Sequence, residues 1–197
     1  MNRREPDRAA AWLRLLLPAL AYLALRWALG RALALAWAPL TDAATPALLP
    51  AALWACRRDG APRPRFHPPA ALLGALCGAG LGLLTACLPA SWEAAAPRGP
   101  IGLAAVCFAG PLCEEIVYRG MVLRRARAML PGRAALLISA ALFAAGHGTP
   151  PRMAAALFAG LVFGGVCLRG EACRPGAGLP AAALCHMAAN LIPLLRR

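Results

Sequence analysis

Residues Ile101 to Leu123 read IGLAAVCFAGPLCEEIVYRGMVL, and the fold class follows from them. Most of its residues are apolar or small, and a helix of that length rises about 35 Å, enough to cross a hydrocarbon core about 30 Å thick. Three ionisable residues interrupt it: Glu114, Glu115 and Arg119. Each costs about 2.5–3.5 kcal/mol at mid-bilayer on insertion scales, so three isolated charges would cost roughly 8–10 kcal/mol. They must therefore face one another or a polar cavity. Glu115 and Arg119 are spaced i and i+4, share a helix face and can pair. Glu114 lies about 100° around the helix and has no obvious partner on it.

The rest of the chain repeats this apolar character. Of its 197 residues 60% are hydrophobic, and mean hydropathy is +0.60. A soluble domain is about 45–50% apolar, and a disordered chain needs low hydrophobicity, so both classes are disfavoured. The net charge of +13 comes entirely from Arg, since no Lys is present. Long apolar runs separate the Arg clusters, a pattern of basic loops between membrane spans rather than of nucleic-acid binding. The Arg-only, Ala-, Pro- and Gly-rich bias points to a high-GC bacterial genome.

Seven apolar stretches follow, at about 12–36, 43–56, 68–88, 101–123, 134–148, 153–168 and 177–195. The expectation is an all-α, multi-pass transmembrane bundle of about seven spans, with room for an eighth in the 30–56 region. The second, fifth and sixth stretches are short for a crossing. The first is read as a crossing rather than a cleaved signal peptide, because further spans follow at once. Counting Arg with the N-terminus in the cytoplasm gives 14 inside (Arg3, Arg4, Arg8, Arg14, Arg57, Arg58, Arg63, Arg65, Arg124, Arg125, Arg127, Arg133, Arg169 and Arg174). Five fall outside: Arg31, Arg98, Arg152, Arg196 and Arg197. Arg26 and Arg119 lie within spans. This asymmetry predicts a multi-pass cell-membrane (inner-membrane) protein with a cytoplasmic N-terminus. Residues 89–100 read as a loop, with a short surface helix around Trp92 and Glu93. Residues 1–197 read as one transmembrane domain. Gly74, Gly78 and Gly82, and likewise Gly160 and Gly164, form small-residue stripes suited to close helix packing within one bundle.

Two later spans carry further polar groups. The fifth holds Phe143-Ala144-Ala145-Gly146-His147 and the seventh His186-Met187-Ala188-Ala189-Asn190. His186 and Asn190 share a helix face at i and i+4. Counted from the inner ends of their spans, Glu114, His147 and His186 lie at depths of about 14, 20 and 14 Å, all near mid-membrane. One carboxylate, two imidazoles and an amide can thus meet in one cavity. Each alone has a plainer reading: a hydrogen-bonded core His, a structural Glu115–Arg119 clamp, an Asn190 bond between helices. His67 sits in a basic loop and is given no role. Tyr118, four residues after Glu114, is read as packing. The eight Cys form no Cys-x-x-Cys pair and read as small buried hydrophobes.

Glu-Glu-x-x-x-Arg, then Phe-x-x-x-His, then His-x-x-x-Asn, each on a separate late helix, resembles the CAAX protease and bacteriocin-processing family of intramembrane endopeptidases, which includes the Ras-converting endopeptidase. The resemblance covers about residues 100–195 and puts the catalytic core in 101–195. It implies Glu114 as catalytic glutamate, Glu115 as its neighbour, Arg119 as support for Glu115 or the helix, His147 as the second-motif histidine, and His186 with Asn190 as the third-motif pair. Its departures are a short chain and ill-defined first spans.

The implied chemistry is peptide hydrolysis by a glutamate-activated water. Glu114 would take the proton, His147 would orient the water, and His186 and Asn190 would donate to the oxyanion. No Ser or Thr occurs in the motifs, and Cys113 and Cys185 point about 100° away from the adjoining motif residues. No cofactor is expected. A zinc-dependent version would take Glu114, His147 and His186 as ligands, although the His-Glu-x-x-His spacing of zinc proteases is absent. Expected partners are the lipid bilayer and a peptide or protein substrate, such as a lipidated or hydrophobic C-terminal tail, and no nucleic acid. Two other classes fit parts of the pattern: a non-enzymatic scaffold or immunity protein of the same fold, and a proton-coupled transporter, which would be expected to show inverted repeats.

Overall fold

The computed structural model describes residues 5–36, 43–87 and 99–195, which form seven helices and a helical turn at Ala44–Ala47, with no strand among the described residues. We number the helices α1 (Glu5–Ala36), α2 (Leu49–Arg58), α3 (Pro68–Thr85), α4 (Gly99–Arg127), α5 (Gly132–Ala145), α6 (Pro150–Cys173) and α7 (Gly178–Leu194). The seven apolar stretches thus each become a helix. Those in α1, α3, α4 and α6 are long and apolar enough to cross a membrane. Helices α5 and α7 are shorter, at 14 and 17 residues, and α2 has only 10. The expected surface helix at Trp92 and Glu93 lies outside the described residues, and Gly99 and Pro100 open α4 instead of closing a loop.

Polar and apolar surfaces are inverted relative to a soluble protein. Leu17, Leu20, Trp27, Leu76, Leu83, Ile101, Phe108 and Phe158 are exposed. Glu114, Glu115, Arg119, Ser139 and His186 are buried. An apolar exterior around a polar interior is stable only where the surrounding medium is itself apolar. The molecule is a transmembrane helix bundle.

One end of the bundle gathers the basic loops. Arg124 and Arg125 both pair with Asp59 at the end of α2. Arg125 also donates to the Arg14 carbonyl of α1. Arg65 N–H donates to Gly176 O at 2.8 Å, joining the α2–α3 and α6–α7 connections. Gly176 has φ +88°, and a Cβ there would strike the Arg63 carbonyl, so this junction requires glycine. Short as it is, α2 returns the chain to this end: Cys56 lies beside Gly120 and Asp59 beside Arg124.

Glycine stripes set the heights of the site-bearing helices. Gly74 and Gly78 of α3 lie against the backbone carbonyls of Ala181 and Cys185 on α7, and Gly82 against Ile192 and Ala189. Any side chain there would displace α7. Gly160 and Gly164 of α6 pack on Ala140 and Leu136 of α5. The stripes therefore serve packing inside one bundle.

Helix α4 departs from regular α winding at two places, Ala105–Ala109 and Ile116–Leu123, where it widens to π-helix. Pro111 accounts for the first. It lacks an N–H and its ring crowds the Cys107 carbonyl four residues back, so the helix must open there. The two wide segments bracket Gly110–Glu115, the turn that carries both glutamates. Such widenings re-aim side chains and occur often at functional sites.

Candidate active site

The site is built outward from α4. Glu115 is fully buried, and Arg119, one turn on, donates from Nη1 to Glu115 Oε1 at 2.9 Å. Arg119 Nη2 donates to the Gly160 carbonyl of α6 at 2.8 Å. The guanidinium also lies over the rings of Phe143 and Phe163, at 4.9 and 5.5 Å from their centroids. Four interactions with neighbouring groups compensate a charge that could not otherwise remain in an apolar interior.

His186 of α7 completes this layer. Its Nδ1 donates to Glu115 Oε1 at 2.9 Å, a carboxylate oxygen being an acceptor only. Its ring stacks on Phe163 with centroids 4.4 Å apart and meets Phe143 edge-on at 5.6 Å. Glu115 thereby anchors the ring through Nδ1–H and turns Nε2 toward Glu114. His186 Nε2 lies 3.9 Å from Glu114 Oε2, too far for a hydrogen bond but a span that one water can bridge.

Glu114 has its partners on α1. Arg26 Nη1 donates to Glu114 Oε1 at 3.0 Å, and Tyr22 OH donates to the same oxygen at 3.3 Å. Sequence reasoning missed both. The signal was present: Tyr22 and Arg26 stand i and i+4 on one face of an apolar helix, and a cation in such a helix requires an anion from another element. Tyr22 is braced by an edge contact with Tyr118, and Tyr118 by one with Phe143, with centroids 6.0 and 5.3 Å apart. Tyr118 is thus a packing residue, and Ser139 donates to its carbonyl at 2.9 Å.

His147 follows α5, in the turn toward α6. Its Nδ1 donates to the Phe143 carbonyl at 2.9 Å, and its ring packs on Phe143 at 4.6 Å. Its Nε2 has no hydrogen-bond partner among the described residues. The two histidines flank Phe143, but no hydrogen bond joins His147 to Glu114. Asn190 turns to α4, where its Nδ2 donates to the Val106 carbonyl at 2.9 Å. The fold thus joins Glu114, Glu115, Arg119 and His186 into one layer. His147 and Asn190 lie at its margins, each with one donor already engaged.

All eight cysteines are free. Among the described residues, no three His, Cys, Asp or Glu side chains stand close enough to share a metal ion. As the side chains stand, Glu114, His147 and His186 do not form a zinc ligand set. A cavity of about 290 Å³ opens at the basic end, lined by Leu123, Arg127, Cys167, Leu168 and Leu179 and reaching Arg119.

Residues 96–192 match a protein-family model described as Type II CAAX prenyl endopeptidase Rce1-like. The chain carries a domain of the CAAX protease and bacteriocin-processing family. No curated protein and no solved structure matches the chain. The family is one of membrane-embedded proteases, and the matched region holds every residue that the three motifs single out. Tyr22 and Arg26 lie outside it.

Proposed function

We propose that this protein is an intramembrane endopeptidase that hydrolyses a peptide bond of a membrane-associated substrate with a water activated by Glu114. The single observation that carries the reading is that Glu114 Oε2 and His186 Nε2 face each other 3.9 Å apart inside an apolar bundle, close enough for a water, or the oxyanion formed from it, to touch both.

In this mechanism the water donates one hydrogen to Glu114 Oε2, and His147 Nε2 accepts the other and orients it. As the water oxygen bonds to the scissile carbonyl carbon, its proton passes to Glu114. His186, in its imidazolium form with Glu115 as counter-charge, donates Nε2–H to the oxyanion. Asn190 adds the Nδ2 hydrogen that Val106 does not take. The proton held by Glu114 then passes to the amide nitrogen, the C–N bond breaks, and an acid and an amine leave. Arg119 supports Glu115 and takes no part in the chemistry. No metal enters these steps.

Residues 1–197 act in this reading as one transmembrane domain with its catalytic core in 101–195. The gathering of Arg14, Arg63, Arg65, Arg124, Arg125 and Arg174 at one end supports a cytoplasmic N-terminus in a bacterial inner membrane. The substrate class that fits a site buried in lipid is a lipidated or hydrophobic C-terminal tail.

The test compares C-terminal peptides of membrane and secreted proteins from cells carrying the wild type or Glu114→Gln. The reading expects tails that are trimmed only by the wild type, with Glu114→Gln slower by about 10²-fold or more. Equal trimming by a folded Glu114→Gln protein would refute it.

A further inference from the structure

We propose that Arg26 of α1 is a positioning residue for Glu114, making the first helix part of the catalytic apparatus. This rests on the proteolytic reading above. The two oxygens of Glu114 have unequal surroundings: Oε1 receives both Arg26 Nη1 at 3.0 Å and Tyr22 OH at 3.3 Å, and Oε2 faces His186 Nε2 at 3.9 Å. One oxygen is clamped and the other is left for the water.

The clamp does two things. It fixes the carboxylate's rotation, because two donors from one helix face converge on a single oxygen. It also sets an opposite charge beside the carboxylate in apolar surroundings, where an unpaired charge is costly. Nothing on α4 can do either, because the only nearby cation there, Arg119, is committed to Glu115 and Gly160. The Arg26 side chain is 38% exposed and the Glu114 side chain 10%, so the pair sits at the edge of the site rather than in its core. The clamp also lies outside the family-matched region 96–192, so this domain borrows the partner of its glutamate from the segment before it.

The experiment uses the full-length protein in proteoliposomes. Infrared difference spectra of each Arg26 variant with and without Glu114→Gln isolate the Glu114 band. Activity is read on a quenched farnesylated peptide ending in a Cys-aliphatic-aliphatic-X tail. Wild type should show the wide separation of antisymmetric and symmetric carboxylate bands that a clamp on one oxygen produces. Arg26→Met should lose that separation and lower kcat by about 10²-fold with KM little changed, as a misplaced base would. Arg26→Lys, which keeps a donor and the charge, should restore the separation and most of kcat. An unchanged band separation in folded Arg26→Met, or an unchanged kcat, would overturn the inference. If the wild type cleaves no such peptide, the substrate reading fails on its own, and the infrared band still decides the clamp.

Discussion

Asn190 donates to the Val106 carbonyl, and that carbonyl is free because of Pro111. In regular α-helix Val106 O would accept from Gly110 N, but in the widened turn Gly110 N bonds to Ala105 O. The next donor along the chain would be residue 111, and proline has no N–H. An orphaned carbonyl in a membrane helix must find a partner, and α7 provides one. The bond ties the helix carrying His186 to the helix carrying Glu114, one turn from His186 and about two turns from Glu114. Asn190→Ala should therefore lower activity by about 10²–10³-fold, through loss of an oxyanion donor, and cost stability by about 1–3 kcal/mol through the stranded carbonyl. Pro111→Ala separates the two effects by returning an N–H to α4. In that background the stability cost of Asn190→Ala should shrink while the activity loss stays. A double-mutant cycle of thermal unfolding and cleavage measures both; an undiminished stability cost would show that Pro111 is not the cause.

The Glu115–Arg119 pair is fully buried, and each partner also holds a second group. Removing one charge strands the other, which costs about 3–5 kcal/mol for a buried pair. Glu115→Leu should thus destabilise the bundle strongly and free His186 Nδ1, costing activity as well. Glu115→Leu with Arg119→Leu should be more stable than Glu115→Leu alone, because no uncompensated charge remains. Unfolding midpoints in detergent of the three proteins check this ordering. A double variant less stable than Glu115→Leu would mean that the Arg119 bond to Gly160 outweighs the stranded charge.

The transmembrane fold was legible because membrane insertion acts on local composition: every apolar stretch marked in the sequence became a helix. Glu115 with Arg119, and His186 with Asn190, were legible as pairs because i and i+4 spacing fixes a shared face. What was not legible depended on how helices far apart in sequence rotate against one another. Glu114 meets Arg26 across 88 positions, and Asn190 meets Val106 across 84. The widened turns of α4 also escaped, although Pro111 marked the place. Arg26 was the recoverable case, because its desolvation cost required a partner that the sequence did not name.

Gly78 and Gly80 are two residues apart on α3 and face opposite conditions. A Cβ at Gly78 would run into the Cys185 carbonyl, one residue before His186, whereas at Gly80 it meets nothing within 4 Å. Gly80→Ala should be neutral or raise stability by up to about 1 kcal/mol through helix propensity. Gly78→Ala should cost about 1–3 kcal/mol by overpacking and lower kcat by pushing α7. Equal behaviour of the two in unfolding and cleavage assays would sink the claim that this stripe sets the height of His186.

His186 spends Nδ1 on Glu115 and His147 spends its own on the Phe143 carbonyl, so each has only Nε2 to offer a metal. Only Glu114 Oε2 remains on the carboxylate, since Arg26 and Tyr22 hold Oε1. Two ligands of one tetrahedral zinc at about 2.0–2.2 Å stand about 3.3–3.6 Å apart, so Glu114 Oε2 and His186 Nε2, at 3.9 Å, would need only a small shift, and the obstacle is His147, which would have to move in beside them. The protein treated with a strong chelator, its metal content measured on the same sample, should retain full cleavage. Cys113→Ala and Cys185→Ala should also retain it, because a thiol nucleophile has no place in these steps. Loss of activity on chelation, restored by zinc alone, would replace the free water with a metal-bound one and require His147 to swing toward Glu114.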